Sequence, residues 1–576
     1  MEEEKFLNLL TEINQTEIIE RYKSSSEQEK KDFIAHFMNV EKACPGGIKD
    51  YIRRAKILLE NSKNDVNPFK DYKPSVPTGL NINVGDNQFF ELEKLGIKEI
   101  KDTVFVMVAG GLGERLGYPS IKIGIPTELI TLRPFIEVYV DYIKAYEDRV
   151  RKMGAVDKDW FIPLCIMTSG DTHDRTVKLL EEKENFGLRK DQIILIKQEK
   201  CPAIMDNECH LSLKKDKFEI ETKPHGHGDI HLLLYQNGLV KKWVEQGKKY
   251  MVLFQDTNVL IFNCIPSALG ANVNLNLVIN SVCIPRKPGE ALGAICKLVK
   301  DDGSSITINV EYNILESLLK EKYNPQGDIP NKEGYSDFPG NTNVLIFQLD
   351  VYSKVLESTK GIIPEFVNPK YSDETKTKFK SATRLESLMQ DFPKLLKNGE
   401  KVGFTSYPRW FCFSPCKNNL KDACDKLKKK IGPESAFSVE QDIFAYNCKM
   451  IEQFGKLEIV KDEEPMNIKL YEQDIKFEYP RILIYPSFAI SVTELKEKME
   501  KMKGKIKMGI NSILILKNDI NIEGVDLNGK LTLDTNQNEI VKCDNKIKWI
   551  YTPLKDDEGE IYEKIRGYTI SKKNDE

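Results

Sequence analysis

The sequence lacks three features that would assign the protein to a membrane, to a disulfide framework or to nucleic acid. Its longest apolar runs, such as residues 160–167, are far too short to cross a bilayer. Its 12 cysteines form no CxxC pair, which favours free thiols in a reducing compartment. The 85 Lys and Arg residues nearly balance 88 Asp and Glu residues, and MEEEKFLNLL is acidic where a secretory signal is basic. We therefore expect a cytoplasmic protein with no nucleic-acid or membrane partner.

Two patterns of metal-ligand residues leave a zinc site open. Cys412, Cys416 and Cys424 form one pattern, and the HxHxxxH spacing of "PHGHGD" and the residues after it forms the other. The glycines within "PHGHGD" also suit close approach of the backbone to a ligand, and no fourth ligand is apparent. A structural role for these histidines, His225 above all, is the alternative.

The chain is too long for one ordinary core, and its texture changes twice. Residues 1–98 contain helical periodicity in "KFLNLLTEI" and "YIRRAKILLE", followed by a proline-rich connection. Residues 99–485 alternate apolar runs such as "VFVMVA", "QIILIKQ" and "YMVLFQD" with amphipathic stretches, which predicts an α/β sheet flanked by helices. Residues 486–576 predict a small β-rich domain after a helix, with a hairpin at Asn528-Gly529.

A glycine-rich loop follows the first of these strands in "VFVMVAGGLGERLGYPSIKIGIP". Glycines let backbone N–H groups approach a phosphate, yet the familiar templates fail. Gly113 is followed by Glu-Arg-Leu-Gly where a P-loop has Lys and Ser or Thr, and Leu116 stands where a dinucleotide fingerprint has its third glycine. From the pattern alone, a nucleotide site and a tight structural turn both remain open.

Ten segments in one order resemble the UDP-sugar pyrophosphorylases. They are "AGGLGERLGYPSIKIGIP", "IMTSGDTHDRT", "KQEKCPAI", "PHGHGDIHLLLYQNGL", "FQDTNVLIFN", "PRKPGEALGAICKL", "VEYN", "FPGNTNVLIFQLD", "EFVNPKYSDETKTKFKSATRLESLMQDFP" and "FSPCKNN". The resemblance implies an α/β fold with a Rossmann-like, GT-A-like mixed sheet. It also implies reversible formation of UDP-sugar and pyrophosphate from UTP and a sugar 1-phosphate, with Mg²⁺ as cofactor, and we expect a monomer.

The same resemblance implies roles for residues that contact the phosphates. Gly110, Gly111 and Gly113 line the uridine and its phosphates through their backbone. Lys122 reaches the departing β- and γ-phosphates with Arg115 as a helper, and Lys417 contacts the α-phosphate as the principal catalytic side chain. The attacking phosphate oxygen is already ionised near neutral pH, with a second pKa of about 6, so no general base is needed. This agrees with a chain of only six histidines.

Further roles concern the base, the metal and the sugar. By resemblance Gln198 makes paired donor and acceptor contacts to the uracil edge, with Pro202 and Gly226 beside the ring and His227 facing a phosphate. Asp256 ends a buried-looking strand, where open α/β sheets bind ligands, and is the candidate Mg²⁺ ligand, a capping role being the alternative. Short polar groups for sugar hydroxyls are expected at three positions, Asn258, Glu311 and Asn341.

The alternatives differ in sugar range and in class. An enzyme specific for UDP-glucose or for UDP-N-acetylhexosamine shares this architecture, although the histidines of "PHGHGD" stand where the N-acetylhexosamine relatives have asparagines. A non-catalytic nucleotide-sugar-binding scaffold and a glycosyltransferase are the other classes. The chain departs from the family pattern at Gly170, where the family usually has Asp, and over residues 127–143. These departures put the sugar preference in doubt more than catalysis.

Overall fold

The computed structural model describes residues 3–154, 156–397, 399–460, 463–555 and 558–574. Its first part is helical, and Ser26 and Glu29 form a reciprocal cap at the start of the third helix: the Ser26 N–H donates to the Glu29 carboxylate at 2.9 Å. Two short strands and another helix follow. The elements are α1 (Glu3–Glu12), α2 (Thr16–Ser24), α3 (Glu27–Ala43), α4 (Gly47–Lys63), β1 (Lys73–Ser75), β2 (Gly79–Asn81) and α5 (Asn87–Glu99).

The middle of the chain alternates strands and helices, as its apolar runs predict. Its strands are β3 (Thr103–Val108), β4 (Leu164–Ser169), β5 (Ile193–Gln198), β6 (Lys200–Pro202), β7 (Thr222–Pro224), β8 (Tyr250–Gln255), β9 (Ile279–Ile284), β10 (Ala294–Val299), β11 (Ser305–Val310), β12 (Gly340–Gln348), β13 (Glu365–Val367), β14 (Lys370–Tyr371), β15 (Phe379–Ser381), β16 (Leu385–Ser387) and β17 (Val402–Ser406). Its helices are α6 (Phe135–Lys152), α7 (His173–Glu182), α8 (Asp229–Gln236), α9 (Leu239–Glu245), α10 (Ile265–Leu275), α11 (Tyr312–Lys322), α12 (Leu349–Thr359), α13 (Arg409–Cys412), α14 (Leu420–Lys428) and α15 (Ala436–Gln453).

A mixed sheet of 11 strands forms the centre, with the order β2-β17-β9-β12-β8-β3-β4-β5 along its main path. Strand β12 runs antiparallel to β8 and β9, whereas β8, β3, β4 and β5 are mutually parallel. The side chains of β3 and β4 are almost all buried, because helices and loops cover both faces of the sheet. The carboxyl ends of the four parallel strands therefore meet at one edge, where such sheets bind ligands.

One amphipathic stretch forms two helices where the sequence predicts one. Residues 230–247 divide into α8 and α9 at Gly238, which has φ of +64° and ends the first helix after Asn237. The short turn lets both halves pack on the sheet. No helix in the described ranges has the length and apolar character needed to span a bilayer.

The last part of the chain is a coil of short parallel strands. Its elements are β18 (Leu457–Val460), β19 (Asn467–Leu470), β20 (Gln473–Lys476), β21 (Arg481–Ile484), α16 (Val492–Lys501), β22 (Ile506–Gly509), β23 (Ile513–Leu516), β24 (Val525–Asn528), β25 (Lys530–Leu533), β26 (Val541–Asp544), β27 (Ile547–Pro553), α17 (Ile561–Lys564) and β28 (Tyr568–Asn574). From β22 to β26, successive strands alternate between two parallel sheets, β18-β22-β24-β26 and β21-β23-β25.

The predicted hairpin at Asn528-Gly529 is wrong. Strands β24 and β25 belong to different sheets, each pairing in parallel with strands one coil away. Gly529 has φ of +128° and forms a corner between the two sheets, and its N–H donates to the Ser512 hydroxyl at 3.0 Å. Alternating apolar residues around Asn-Gly fit a corner of this kind as well as they fit a hairpin.

The division of the chain at residues 98 and 485 stays a prediction, and strand pairing crosses both limits. Strands β1 and β2, which precede residue 98, pair with β10 and β17 of the central sheet. Strands β18 and β21, which precede residue 485, pair with β22 and β23 of the coil. The three parts are therefore joined by backbone hydrogen bonds as well as by the chain.

Candidate active site

The glycine loop joins β3 to a pair of tight 3₁₀ turns, not to an α-helix. The turns span residues 114–116 and 122–124, and the next α-helix begins at Phe135. The Gly113 N–H donates to the Ser120 carbonyl at 2.8 Å, and a Cβ at Gly113 would lie 2.9 Å from the Tyr118 carbonyl oxygen. Gly113 thus lets the loop fold back on itself, and no helix N-terminus is available here to bind a phosphate.

The other two predicted loop glycines face side chains at the sheet edge. A Cβ at Gly111 would lie 3.6 Å from Lys122 Nζ, so the ammonium group passes over this glycine. A Cβ at Gly110 would lie 3.8 Å from Gln198 Oε1 and 3.6 Å from the Ser169 side chain. Arg115 is exposed in the first turn, on the surface of the loop.

The Lys122 charge acts on both Asp256 and Lys417. Asp256 follows β8 at the carboxyl edge and is buried, which raises the pKa of its carboxyl, while Lys122 opposes that rise. The pKa of the Lys417 ammonium is lowered, first by desolvation and further by the Lys426, Arg409 and Lys122 charges, against the opposing pull of Glu434. The Lys122 charge therefore acts on both a buried carboxylate and a second lysine, and charges of this kind suit a polyanion with a metal ion.

The loop that carries Lys417 is bound to the end of β8 by Asn258. The Asn258 amide donates to the Cys412 carbonyl at 2.9 Å, and its oxygen accepts from the Ser414 N–H at 2.9 Å. The Cys416 N–H donates to the Thr257 carbonyl at 3.0 Å. Asn258 thus uses both ends of its amide to align this loop, and its second N–H and second oxygen lone pair are not used by these two bonds. Lys417 itself is exposed, with Nζ 5.5 Å from the Phe413 ring centre.

Gln198 ends β5 with its amide nitrogen held by the protein. Nε2 donates to the Gly226 carbonyl at 2.6 Å and to Asp229 Oδ2 at 2.9 Å. The prediction of paired donor and acceptor contacts to a base therefore needs correction, because both N–H bonds have acceptors and the oxygen faces Gly110. Pro202 ends β6 nearby, buried, and its carbonyl accepts from the Tyr51 hydroxyl at 2.9 Å.

The three histidines of the HxHxxxH pattern have three different environments. His225 lies between Asp229 and Glu365, whose charges raise its pKa to about 9 against the effect of burial. His227 accepts the Met389 N–H on Nδ1 at 3.1 Å, and burial lowers its pKa to about 4. His231 contacts the Tyr352 hydroxyl and the Met389 carbonyl within the core. Among the described residues, no three His, Cys, Asp or Glu side chains are grouped to hold a metal. The predicted zinc patterns of the histidines and of Cys412, Cys416 and Cys424 therefore do not form a metal site there.

The neutral His227 is the histidine suited to contact a substrate. Since Nδ1 accepts a hydrogen bond, Nε2 must carry the proton of the neutral ring. His227 as a residue is partly buried, and Nδ1 is the ring nitrogen that the Met389 N–H occupies. A phosphate contact from His227 is compatible with this tautomer.

Gly226 and Gly228 lie close against Ser387 of β16. Gly226 has φ of +106°, and a Cβ there would lie 2.3 Å from the Ser387 carbonyl oxygen; a Cβ at Gly228 would lie 2.7 Å from the Ser387 carbonyl carbon. The reason for these glycines is therefore the contact with β16, which fixes the carbonyl that accepts from Gln198.

Gly226→Ala is expected to lower the free energy of unfolding by about 2–5 kcal/mol, since it combines a left-handed φ with a backbone clash. Gly170→Ala is the matched control, because its φ is ordinary and no atom lies within 4 Å of its Cβ position. Urea unfolding of both variants measures the difference. An alanine at 226 as stable as the alanine at 170 would contradict this account.

The other two predicted sugar residues lie in one polar cluster. Glu311 precedes α11 and accepts from the Asn309 amide at 2.7 Å, and the Asn341 amide donates to Asn309 at 3.1 Å. Asn341 also donates to Asn343 at 3.0 Å. Sequence reasoning missed Asn309, which joins the two predicted residues. The only local signal was that Asn309 lies in β11, two residues before Glu311.

Residues near β28 contact the far end of the glycine loop. Buried Arg566 donates to the Pro126 carbonyl through Nη2 and to Glu440 of α15 through Nε, the latter at 3.0 Å. The Ile565 side chain lies 3.9 Å from the Cβ position of Gly117. The segment "EKIRGYTI" therefore supports the loop that carries Lys122.

Comparison with known proteins gives the following matches. Residues 82–452 match the family model described as UTP–glucose-1-phosphate uridylyltransferase. The chain is 41% identical to a UDP-sugar pyrophosphorylase of Arabidopsis thaliana over 95% of its length and 89% of the relative's, and 40% identical to one of Oryza sativa subsp. indica over 92% and 86%. A crystal structure of a UDP-N-acetylglucosamine pyrophosphorylase from Trypanosoma brucei has a TM-score of 0.64 at 18% identity, over 86% of this chain and 95% of that one; this likeness supports the fold.

Proposed function

Because the chain belongs to the UTP–glucose-1-phosphate uridylyltransferase family, we propose that it serves several gluco- and galacto-configured sugar 1-phosphates. The protein is a uridylyltransferase that forms UDP-sugar from UTP and a sugar 1-phosphate. We also propose that its central sheet is of the Rossmann-like, GT-A-like kind and that the reaction is reversible. The observation that supports the site assignment is that the charge of Lys122, in the glycine-loop segment, acts on both Asp256 at the carboxyl end of β8 and Lys417.

The reaction joins a phosphate oxygen of the sugar 1-phosphate to the α-phosphorus of UTP and breaks the bond to pyrophosphate. The nucleophile is already ionised, so the protein has to place two polyanions together and offset the charge that develops. In this proposal Lys417 binds the α-phosphate and Lys122 binds the leaving pyrophosphate. The half-buried His227 donates its Nε2 proton in a hydrogen bond to a phosphate oxygen.

Asp256 fits a divalent cation. Its carboxylate is buried at the carboxyl edge of the sheet and its pKa is raised, so a nearby positive charge would favour the ionised form. When bound there, Mg²⁺ supplies charge neutralisation and orientation of phosphate oxygens. Among the described residues, Asp256 does not belong to any group of three His, Cys, Asp or Glu side chains that could hold a metal. Phosphate oxygens and water would therefore complete the coordination shell of the cation.

Base contacts in this proposal come from β5 and the segment before α8. Gln198 Oε1, which faces Gly110, accepts a hydrogen bond from the uracil ring. Glu311 and Asn341 bind sugar hydroxyls together with Asn309, whereas Asn258 aligns the Lys417 loop. A helper role for Arg115 requires its exposed side chain to turn toward the phosphates.

Pyrophosphate release with UTP and Mg²⁺ tests the sugar range. We expect release with the 1-phosphates of glucose, galactose, glucuronic acid and xylose, but not of N-acetylglucosamine. Release with glucose 1-phosphate alone would indicate a UDP-glucose-specific enzyme, and release with N-acetylglucosamine 1-phosphate alone would indicate an N-acetylhexosamine enzyme. Binding of UTP without release from any sugar would instead support a scaffold.

A further inference from the structure

A buried row of alternating charges connects helix α4 with Gln198. The Arg54 guanidinium donates to both carboxylate oxygens of Glu365, from Nε at 2.6 Å and from Nη2 at 3.1 Å. Glu365 Oε1 lies 2.9 Å from His225 Nε2, and Asp229 Oδ1 contacts His225 Nδ1. Asp229 Oδ2 then accepts from Gln198 Nε2. The reaction as proposed above gives no role to Arg54, Glu365, His225 or Asp229.

Hydrogen-bond partners define the charge of His225. Each ring nitrogen faces a carboxylate, and carboxylates only accept, so both nitrogens must donate and the ring is cationic. The shift of the His225 pKa to about 9 agrees with this state. The Glu365 carboxylate in turn is held ionised by Arg54 and His225, which lower its pKa. The row therefore alternates in charge, and it ends on the neutral Gln198 amide. Its charged members, in order, are the Arg54 cation, the Glu365 anion, the His225 cation and the Asp229 anion.

The end of the row decides which atom of Gln198 faces the ligand. An amide side chain can point either its oxygen or its NH₂ group toward a given neighbour. At Gln198 the neighbours Asp229 and the Gly226 carbonyl are both acceptors, so the NH₂ group must point toward them. The oxygen is left toward Gly110. An oxygen accepts a hydrogen bond from the N3–H of uracil, whereas N3 of cytosine is itself an acceptor and would be repelled.

We propose that His225 and Glu365 are positioning residues that hold the Gln198 oxygen toward the base and thereby select uracil over cytosine nucleotides. This inference rests on the proposed function, in that it takes the glycine loop and Gln198 as the nucleotide site. It also gives the N-terminal helices a part in substrate choice, through Arg54.

Glu365→Gln tests the proposal with little change in shape. It removes the charge that holds His225 as a cation, so Nδ1 no longer has to donate to Asp229. Without that contact the Asp229 carboxylate is free to turn away from Gln198, and the Gly226 carbonyl alone orients the Gln198 amide. We expect the ratio of kcat/KM for UTP to that for CTP to fall at least about tenfold, the size of one lost hydrogen bond, mainly through KM. Arg54→Met should shift the ratio in the same direction by about threefold, because it acts one step farther away.

Arg53→Met is the matched control. Arg53 lies beside Arg54 on α4 and pairs with Asp50 at 2.7 Å on the surface. Asp50 also contacts Arg54, so this variant changes the surroundings of Arg54 but keeps the Arg54–Glu365 pair, and the UTP-to-CTP ratio should stay at the wild-type value. A purely structural role for the row would lower both kcat/KM values equally and leave the ratio unchanged. If Glu365→Gln does not fold, judged by circular dichroism, the result for Arg54→Met decides.

The outcomes separate this inference from the proposed function. Wild-type release of pyrophosphate together with an unchanged ratio in the folded variants would overturn the positioning role alone. If the wild type releases no pyrophosphate from any sugar, the proposed function fails, and calorimetric binding of UTP and CTP to the same variants still measures the ratio. A fall in that ratio for the Arg54 and Glu365 variants, but not for Arg53→Met, supports the proposal.

Discussion

Lys417→Ala is expected to lower kcat by about 10³-fold while the Kd for UTP changes less than about threefold. The ammonium group contributes most where negative charge builds up on the α-phosphate, so its loss affects the transition state more than the bound nucleotide. Single-turnover pyrophosphate release measures the rate, and calorimetry measures UTP binding. An equal loss of both would assign Lys417 to ground-state binding only.

The control for this variant is Lys421→Ala, an exposed lysine of α14 four residues farther along the chain. Its loss should leave both quantities unchanged. A pH profile adds a second check, because the pKa of Lys417 lies below that of an ordinary lysine. The charged form is present below the pKa, so the wild-type rate should decline on the alkaline side at a lower pH than an unperturbed lysine would give.

Asp256→Asn is expected to lower kcat/KM by about 10²–10³-fold and to raise the Mg²⁺ concentration needed for half-maximal rate. At the same time the variant should be as stable as the wild type or more stable. Burial raises the pKa of this carboxyl above its unfolded value, so the ionised group opposes folding near neutral pH, and the neutral amide removes that cost.

Thermal unfolding without metal, alongside titration of the rate with Mg²⁺, measures both effects. The control is Asp102→Asn, at the amino end of β3 and thus at the opposite edge of the sheet, where Asp102 pairs with Lys249 at 2.7 Å. It should retain wild-type kcat/KM. A metal dependence unchanged in Asp256→Asn would remove this residue from the proposed metal site.

Local patterns predicted the strands that position the site better than they predicted its contacts. The apolar runs of β3 and β8 are continuous because these strands are buried on both faces, and that signal is local. The row from Arg54 to Gln198 was not predictable in this way, because Arg54 and Glu365 are 311 residues apart, and the family segment that begins at Glu365 does not indicate its partner. The pairing of β24 and β25 in separate sheets likewise depends on neighbours one coil away, which a two-residue turn signal does not contain.

The prediction of side-chain roles was limited in the same way, by the separation of contacting residues along the chain. The sequence shows that Asn258 is polar and follows a strand, but not that its amide is used by Cys412 and Ser414. Gly226 was expected to make room for a ligand, and the atom it makes room for is the Ser387 carbonyl oxygen. In each case a protein group more than 150 residues away decides the role, and only the fold identifies that group.

The contact between Arg566 and Pro126 has a consequence for biosynthesis. The two residues are 440 positions apart in the chain. The Pro126 carbonyl, which follows the glycine loop, therefore has no Arg566 partner until the central sheet has left the ribosome. Glu440, whose carboxylate accepts from Arg566 and from the Tyr551 hydroxyl, depends on the same late segment but is separated from Arg566 by only 126 residues. The nascent chain can therefore complete its sheet during translation, whereas the lysine-bearing loop gains its final support only after the coil has been made.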